Sequence, residues 1–408
     1  MKPETVRITT DLEWGGRLSS IEKYLNNEGL SHYQRKIMKE FEEYNQARNL
    51  SISSRYSYCK VLKLIGVVIK KDYRKYTKKD INYYFANIKN QHQWKKTPLS
   101  KDTIWGYQTV LIKFFDWLEM KELSEYIKEI RVKRARNGTL KRENILTEED
   151  IKLLIDSCRT LRDKCLISVL YESTCRLGEI SRVKIEDISF DDYGAEMIIK
   201  HSKTETGKRI IPLIDSAPIL KEYINQHPYS EDENAPLWIN MVDQGYRKIM
   251  GYKQIKPDSI RAIVRSVAKR SGIKKRVFCH LFRHSRTTNL LKDGFSDQMV
   301  QKLGGWSDSQ QLGRYGHLVS SDIKDELLKR KGIKEMDVKK SILEPKRCSR
   351  CQELNEAGNK YCKKCWLALD VETAMEQSQA ENKMQVLVTE LIKKLKKEDV
   401  QEIIKGIT

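Results

Sequence analysis

Residues 280–288 read HLFRHSRTT, and the fold is best approached outward from them. His280 and Arg283 sit together in this stretch. Downstream, residues 303–308 read LGGWSD, where Trp306 follows two glycines. Nine residues after Trp306, Tyr315 stands in GRYGHL, residues 313–318. Upstream, STCRLGEISRVKIEDI (173–188) carries Arg176 behind an apolar helix, and IKHSKTETGKRIIPL (199–213) carries Lys203 on a hairpin. Taken singly, these residues say little. A lone arginine or lysine in so basic a chain is surface charge, and a lone tyrosine among nineteen is core. His280 beside Arg283 can equally be a satisfied structural pair. The order and spacing of the whole set carry the information.

A phosphodiester is the group these side chains suit together. Two arginines can hold both non-bridging oxygens, where charge grows in the transition state. A guanidinium makes that bidentate contact better than an ammonium does. A tyrosine oxygen can attack phosphorus and form a covalent intermediate. A histidine can hydrogen-bond the phosphate or take the tyrosine proton. A lysine on a hairpin can protonate the leaving 5′ oxygen. No carboxylate cluster suited to a catalytic metal is present in the pattern.

The bulk properties agree. The chain has 408 residues, a length that implies two or three domains. It is 39% hydrophobic and 33% charged, as expected of a folded globular protein. The net charge of +21 favours a polyanionic partner, although charge alone also fits a merely soluble basic protein. A membrane surface is the weaker choice, because no strongly basic amphipathic helix stands out. There is no run of eighteen apolar residues, and the opening MKPETVRITTDLEWGG lacks the apolar core of a signal peptide. The expectation is a cytoplasmic, nucleoid-associated protein without a membrane span.

Apolar periodicity divides the chain into segments. Residues 1–127 read as a helical domain. Ile104, Tyr107, Leu111, Phe114, Phe115 and Leu118 recur at three and four residues on one helix face, and Thr77 with Asp80 starts another helix. Residues 128–146, KEIRVKRARNGTLKRENIL, form a linker with seven basic residues and one acidic residue from Lys128 to Arg142. It reads as a strap across phosphates or, more plainly, as a solvated tether. Residues 147–335 form a second domain. Thr147 and Asp150 cap its first helix, a second runs from about Leu161 to Tyr171, and strands cover 188–190, 196–201 and 209–213. Residues 340–370 hold a cysteine cluster, and 371–408 a polar helix with Met384, Leu387, Leu391 and Leu395 on one face. That stripe is expected to dock on its own protein.

The second domain resembles the catalytic domain of the tyrosine recombinases, the phage integrase family. STCR-x-x-E resembles the family's first arginine motif, which gives Arg176 and the acidic Glu179. HLFRHS resembles the His-x-x-Arg box, which gives His280 and Arg283. GGWSD with Tyr315 nine residues on resembles the His/Trp box and the nucleophile. The hairpin position implies Lys203 as the family lysine, with Lys208 as runner-up. The likeness covers roughly residues 147–330, and the first domain resembles the family's SAM-like core-binding domain. The implied fold is mainly α with a small antiparallel β-sheet. The implied reaction is DNA strand exchange through a 3′-phosphotyrosyl bond and a free 5′ hydroxyl, with no cofactor for catalysis. Double-stranded DNA, clamped by the two domains, and a homo-tetramer on paired sites are the implied partners. Two departures stand out. Ser173-Thr174 replaces the family's frequent Thr-Gly, which puts the local turn in question, and Trp306 replaces the commoner histidine. His284 is read as helix packing and His317 as a helix-end residue near the site.

Cys348-x-x-Cys351 and Cys362-x-x-Cys365, ten residues apart, match a structural tetrahedral zinc site. ELNEAGNKY between them offers a turn at Gly358, as in a zinc ribbon. Redox pairs are the lesser alternative, because neither lies in a βαβ pattern. Four thiolates leave no open coordination position, so such a zinc is not catalytic. The other five cysteines, Cys59, Cys158, Cys165, Cys175 and Cys279, read as buried thiols. Against the recombinase reading stand DNA relaxation or hairpin-end resolution by the same chemistry, a non-cutting DNA-binding protein of the same fold, and a zinc-dependent adaptor.

Overall fold

The computed structural model describes residues 16–88, 99–133, 141–200, 207–240, 254–308, 312–313, 315 and 341–394. The chain divides into two units, Met1–Thr139 and Leu140–Thr408.

The first unit is helical throughout its described residues. After helical residues 16–25 come α1 (His32–Ala47), α2 (Ile52–Val68), α3 (Lys78–Ile88), α4 (Lys101–Trp117) and α5 (Lys121–Glu129). Local chemistry sets their starts. Ser31 caps α1 in a reciprocal box with Gln34, Ser100 caps α4, and the Thr77 amide and hydroxyl both donate to Asp80 ahead of α3. Ile37, Phe41, Leu62, Ile65, Tyr73, Leu111, Phe114 and Phe115 close the core. Phe114 meets Phe41 and Tyr73 edge-on, with ring centroids 5.1 Å apart in both pairs. Helix α5 continues two residues past 127, and its buried Ile127 belongs to this core.

The second unit is built around one buried helix. Following α6 (Glu148–Asp156), α7 (Leu161–Glu172) is buried on nearly every side, its charged Arg162, Asp163 and Glu172 included. It packs against α6 and leads into the short α8 (Leu177–Ile180), after which comes a sheet of β1 (Ile188–Phe190), β2 (Ala195–Ile199) and β3 (Arg209–Leu213). The sheet is antiparallel in the order β1-β2-β3, with Met197 opposite both Ile188 and Ile211. Ala195, Met197 and Ile199 point inward while Glu196 and Ile198 point out, as the two-residue strand period requires. Then follow α9 (Ala217–Asn225), α10 (Pro257–Ser271), α11 (Cys279–Lys292) and α12 (Asp297–Gly304). The Glu172 carboxylate, at the end of α7, accepts from the amides of Ile214, Asp215 and Ser216 and from the Ser216 hydroxyl. That clasp fixes β3 against α7. Ile145 and Leu146 are both buried in this unit. No helix among the described residues is long and apolar enough to cross a membrane.

The cysteine segment is a small module of β4 (Lys346–Arg347) and β5 (Leu354–Asn355), paired antiparallel, with a turn at Ala357–Gly358. It docks on the second unit by charge and by apolar contact. Glu356 pairs with Lys164 of α7 and with Lys363, both at 2.8 Å. Lys363 also reaches Glu222 of α9, Lys221 reaches Glu353, and Arg347 donates to the Asp192 carbonyl. Leu343 and Leu354 pack on the main core. The last element, α13 (Val371–Lys394), begins on this module. Lys346 holds Asp370 at 2.8 Å, Asp370 caps the Thr373 amide, and Lys360 holds Glu376 at 3.0 Å. Among the described residues the expected docking of its apolar stripe does not occur, because every residue from 374 to 391 is exposed, while Leu395 lies outside them. Of the five single cysteines, Cys158 is only half-buried and the other four are buried.

Candidate active site

Arg176 is the residue just before α8, and the turn preceding it is unusual. Thr174 has a φ of 53°, the left-handed region that suits glycine far better than a β-branched residue. The departure from Thr-Gly therefore leaves a glycine-like turn in place, now made by a threonine. Its hydroxyl donates to the Leu303 carbonyl at 3.2 Å, and its own carbonyl accepts from Nη1 of Arg283 at 2.6 Å. The strained residue thus ties α12 and α11 to the arginine turn.

Glu179 lies three residues after Arg176 and is buried. It accepts from the Arg176 amide at 2.9 Å and from the Arg176 guanidinium at 2.8 Å. It also pairs with Arg209 of β3 at 3.1 Å. Arg209 is a residue that the sequence reading missed. Its side chain is only 4% exposed, and it also donates to the carbonyls of Leu303 and Gly207. A Cβ on Gly305, whose φ is +62°, would stand 2.7 Å from the Arg209 guanidinium. The second glycine of LGGW is thus demanded by both the backbone and the arginine.

Arg283 sits on α11, 1% exposed, and its guanidinium lies over the Trp306 ring at 4.3 Å. The indole supports the cation from one side. Nη2 of Arg283 is buried with no hydrogen-bond partner among the described residues. Burial lowers the Arg283 pKa to about 10, and the positive charge of Arg176 adds to that. A desolvated cation with a spare donor beside a second guanidinium is a site that an anion would complete.

Tyr315 is 3% exposed and packs with Ile145, Leu290, Val300, Trp306 and Leu312. Its hydroxyl lies 2.6 Å from Nδ1 of His284, and its ring is 6.1 Å from that of Trp306. This corrects the reading of His284 as helix packing. His284 is one residue past Arg283, and its ring lies 4.3 Å from that of His280, the two nearly perpendicular. Both histidines are thus at the site. The four-residue spacing of His280 and His284 was the available signal, since residues four apart share a helix face. His280 is on the exposed face of α11, Lys208 is exposed, and Trp306 is buried. Lys203 and His317 lie outside the described residues.

The four cysteines form a second constellation. Their sulfurs all lie within 4.8 Å of one another, with Cys348–Cys365 and Cys351–Cys362 each at 3.5 Å. Tetrahedral ligation at about 2.3 Å requires sulfurs spaced a little under 4 Å apart, so the arrangement fits a metal. Each knuckle closes the same way: the amides of Gln352 and Trp366 donate to the carbonyls of Cys348 and Cys362, and both residues have a φ of 60°.

The cysteine module meets the unit along α7, at Lys164 in its first turn and, across one cavity, at Tyr171 and Glu172 in its last. Lys164 lies roughly 12 Å along the axis from Glu172 at the end of α7, and Arg176 follows four residues later. The module's contact with Asp192 is at the β1–β2 turn, the opposite end of the sheet from the β2–β3 hairpin.

Residues 144–321 match the phage integrase family. A protein described as a tyrosine recombinase from Thermosipho africanus is 27% identical over 298 residues, which cover 70% of this chain and 96% of that one. The tyrosine recombinase XerA of Saccharolobus solfataricus is 26% identical, covering 64% and 81%. Among solved structures, XerH site-specific recombinase bound to a palindromic difH substrate aligns with a TM-score of 0.52 at 17% identity, over 78% of this chain and 96% of that one. The Tn1549 transposon integrase in complex with circular intermediate DNA aligns with a TM-score of 0.55 at 13% identity, covering 71% and 98%. These structural likenesses bear on the fold.

Proposed function

We propose that this chain, a tyrosine recombinase of the phage integrase family, cuts and rejoins double-stranded DNA at specific sites through Tyr315. The observation that carries the assignment of residues is the buried, unpartnered Nη2 of Arg283 beside Arg176. A scissile phosphate would complete its hydrogen bonding.

The residues take these roles. Arg176 and Arg283 hold the non-bridging oxygens, and Glu179 with Arg209 fixes the plane of Arg176. Trp306 supports Arg283 and bounds the tyrosine pocket. The Tyr315 oxygen bonds to phosphorus as the bond to the 5′ oxygen breaks. The phenolic proton passes to His280 or His284, and Lys203 supplies one to the leaving 5′ oxygen. The 5′ hydroxyl of another strand then reverses these steps. The energy of the phosphodiester stays in the phosphotyrosyl bond, so the exchange needs no nucleotide.

Double-stranded DNA is the partner that the +21 charge and the DNA-bound relatives support. Exchange of two strand pairs calls for four protomers. Cys348, Cys351, Cys362 and Cys365 would hold a structural zinc that closes the module on β4 and β5.

A nicked suicide DNA taken from the flank of the gene tests the reading. The wild type is expected to give a covalent protein–DNA band that Tyr315→Phe lacks. A band that survives in Tyr315→Phe would show a different nucleophile. No band despite tight binding would favour a non-cutting DNA-binding protein.

A further inference from the structure

Helix α13 has a surface that the strand-exchange chemistry does not use. From Ala374 to Leu391 all of its residues are exposed, although Met384, Leu387 and Leu391 are large and apolar, at 63%, 55% and 60% exposure. They recur at three and four residues, and Val388 widens the same face. Most helical stability in proteins comes from packing of an apolar face, so an uncovered stripe of this kind calls for a partner. Its first turn is held to the cysteine module by Asp370, Lys346, Lys360 and Glu376. The helix therefore starts from a fixed base on the cysteine module.

We propose that α13 pairs with α13 of a second copy of this chain, antiparallel. Charge selects both the partner and the orientation. The first half carries Glu372, Glu376 and Glu381, and the second half carries Lys383 and Lys393 beside Glu390, so opposite charges meet best when the second helix is reversed. In the antiparallel register, Met384 faces Leu387 of the other copy, and Leu391 covers the small Ala380. Lys383 then flanks Glu390 of the other copy, twice by symmetry. A parallel pair would instead set the acidic halves side by side and the lysines side by side. This pairing is independent of the assignment of catalytic residues.

Sedimentation of the full chain without DNA, over a concentration series, tests it. The wild type is expected to dimerise reversibly. Leu387→Glu with Leu391→Glu is expected to stay monomeric throughout while keeping its fold, since both side chains are exposed. Lys383→Glu is expected to weaken the dimer by about tenfold, as two exposed pairs turn repulsive. Adding Glu390→Lys to it should restore the wild-type constant. A wild type that is monomeric at every concentration overturns the proposal. So does a dimer that survives the double leucine change. Failure of the charge swap to restore association overturns the antiparallel register.

Discussion

The hydroxyl of Tyr315 and Nδ1 of His284 lie 2.6 Å apart, in a pocket where the tyrosine is almost wholly buried. The tyrosine oxygen is thus held by a ring whose own position follows from the neighbouring arginine on α11. Replacing His284 by phenylalanine keeps the ring and removes the hydrogen bond. The expected result is a roughly tenfold slower formation of the covalent complex, the worth of one buried hydrogen bond. His280→Ala should cost more, on the order of 100-fold, if it serves as the proton acceptor. Single-turnover rates across pH separate the two. A loss of pH dependence in His284→Phe rather than His280→Ala would exchange their roles.

Arg283 is enclosed by the Thr174 carbonyl and the Trp306 ring. Arg283→Lys keeps a positive charge but removes the fork that serves the carbonyl and the phosphate together. A fall of about 100- to 1000-fold in cleavage rate is expected, with a much smaller change in DNA affinity. Single-turnover cleavage and filter binding at one salt concentration check this. An equal loss in both would make Arg283 a binding residue only.

Arg209 and Glu179 form a buried pair, at 4% and 3% side-chain exposure. Arg209→Met takes one cation from the Glu179 carboxylate and removes the donors to Leu303 and Gly207. Breaking one side of such a pair costs about 3–5 kcal/mol. Urea denaturation is expected to show that loss. Together with Arg209→Met, Glu179→Leu should recover part of it, because neither charge then remains unpaired.

Asp215 is pushed up to about 7 by burial, with the Glu172 carboxylate beside it adding to the shift and Arg286 opposing it. Glu148 and Glu344 also raise it. The folded chain therefore binds this proton more tightly than the unfolded chain does. The stability it contributes is full below the ordinary carboxylate range and is lost as pH rises from about 4 towards 7. Asp215→Asn should flatten that part of the profile and raise the melting temperature at pH 8. Thermal melts of both proteins from pH 4 to 8 would show it, and parallel profiles would exclude Asp215 as the source.

Metal analysis of the purified chain is expected to find one zinc ion per protomer, and none in Cys348→Ser with Cys362→Ser. Chelation should expose the apolar contacts of Leu343 and Leu354 and lower the melting temperature. Cleavage by Tyr315 should depend on the metal only through folding, since four thiolates leave it no open coordination position.

Much of this protein follows from the sequence alone. The helix starts at Ser31, Thr77 and Thr147 rest on hydrogen bonds between residues three apart, and such bonds are written in local spelling. The strands of the small sheet follow from alternation, and α7 from an apolar run. The grouping of Arg176, Arg283, Trp306 and Tyr315 was legible from the order and spacing of their motifs, and the fold brings them near one another. Tertiary structure decided the rest. Arg209 is one basic residue among 77, and only the fold sets it against Glu179, thirty positions away. The partner of the Tyr315 hydroxyl depended on which face of α11 meets the tyrosine, a packing outcome that helical period alone leaves open. Thr174 could take a glycine's conformation because contacts to Leu303 and Arg283 hold it there. The exposure of α13 likewise had no local signature, since an amphipathic stripe reads the same whether its own chain or a second copy covers it.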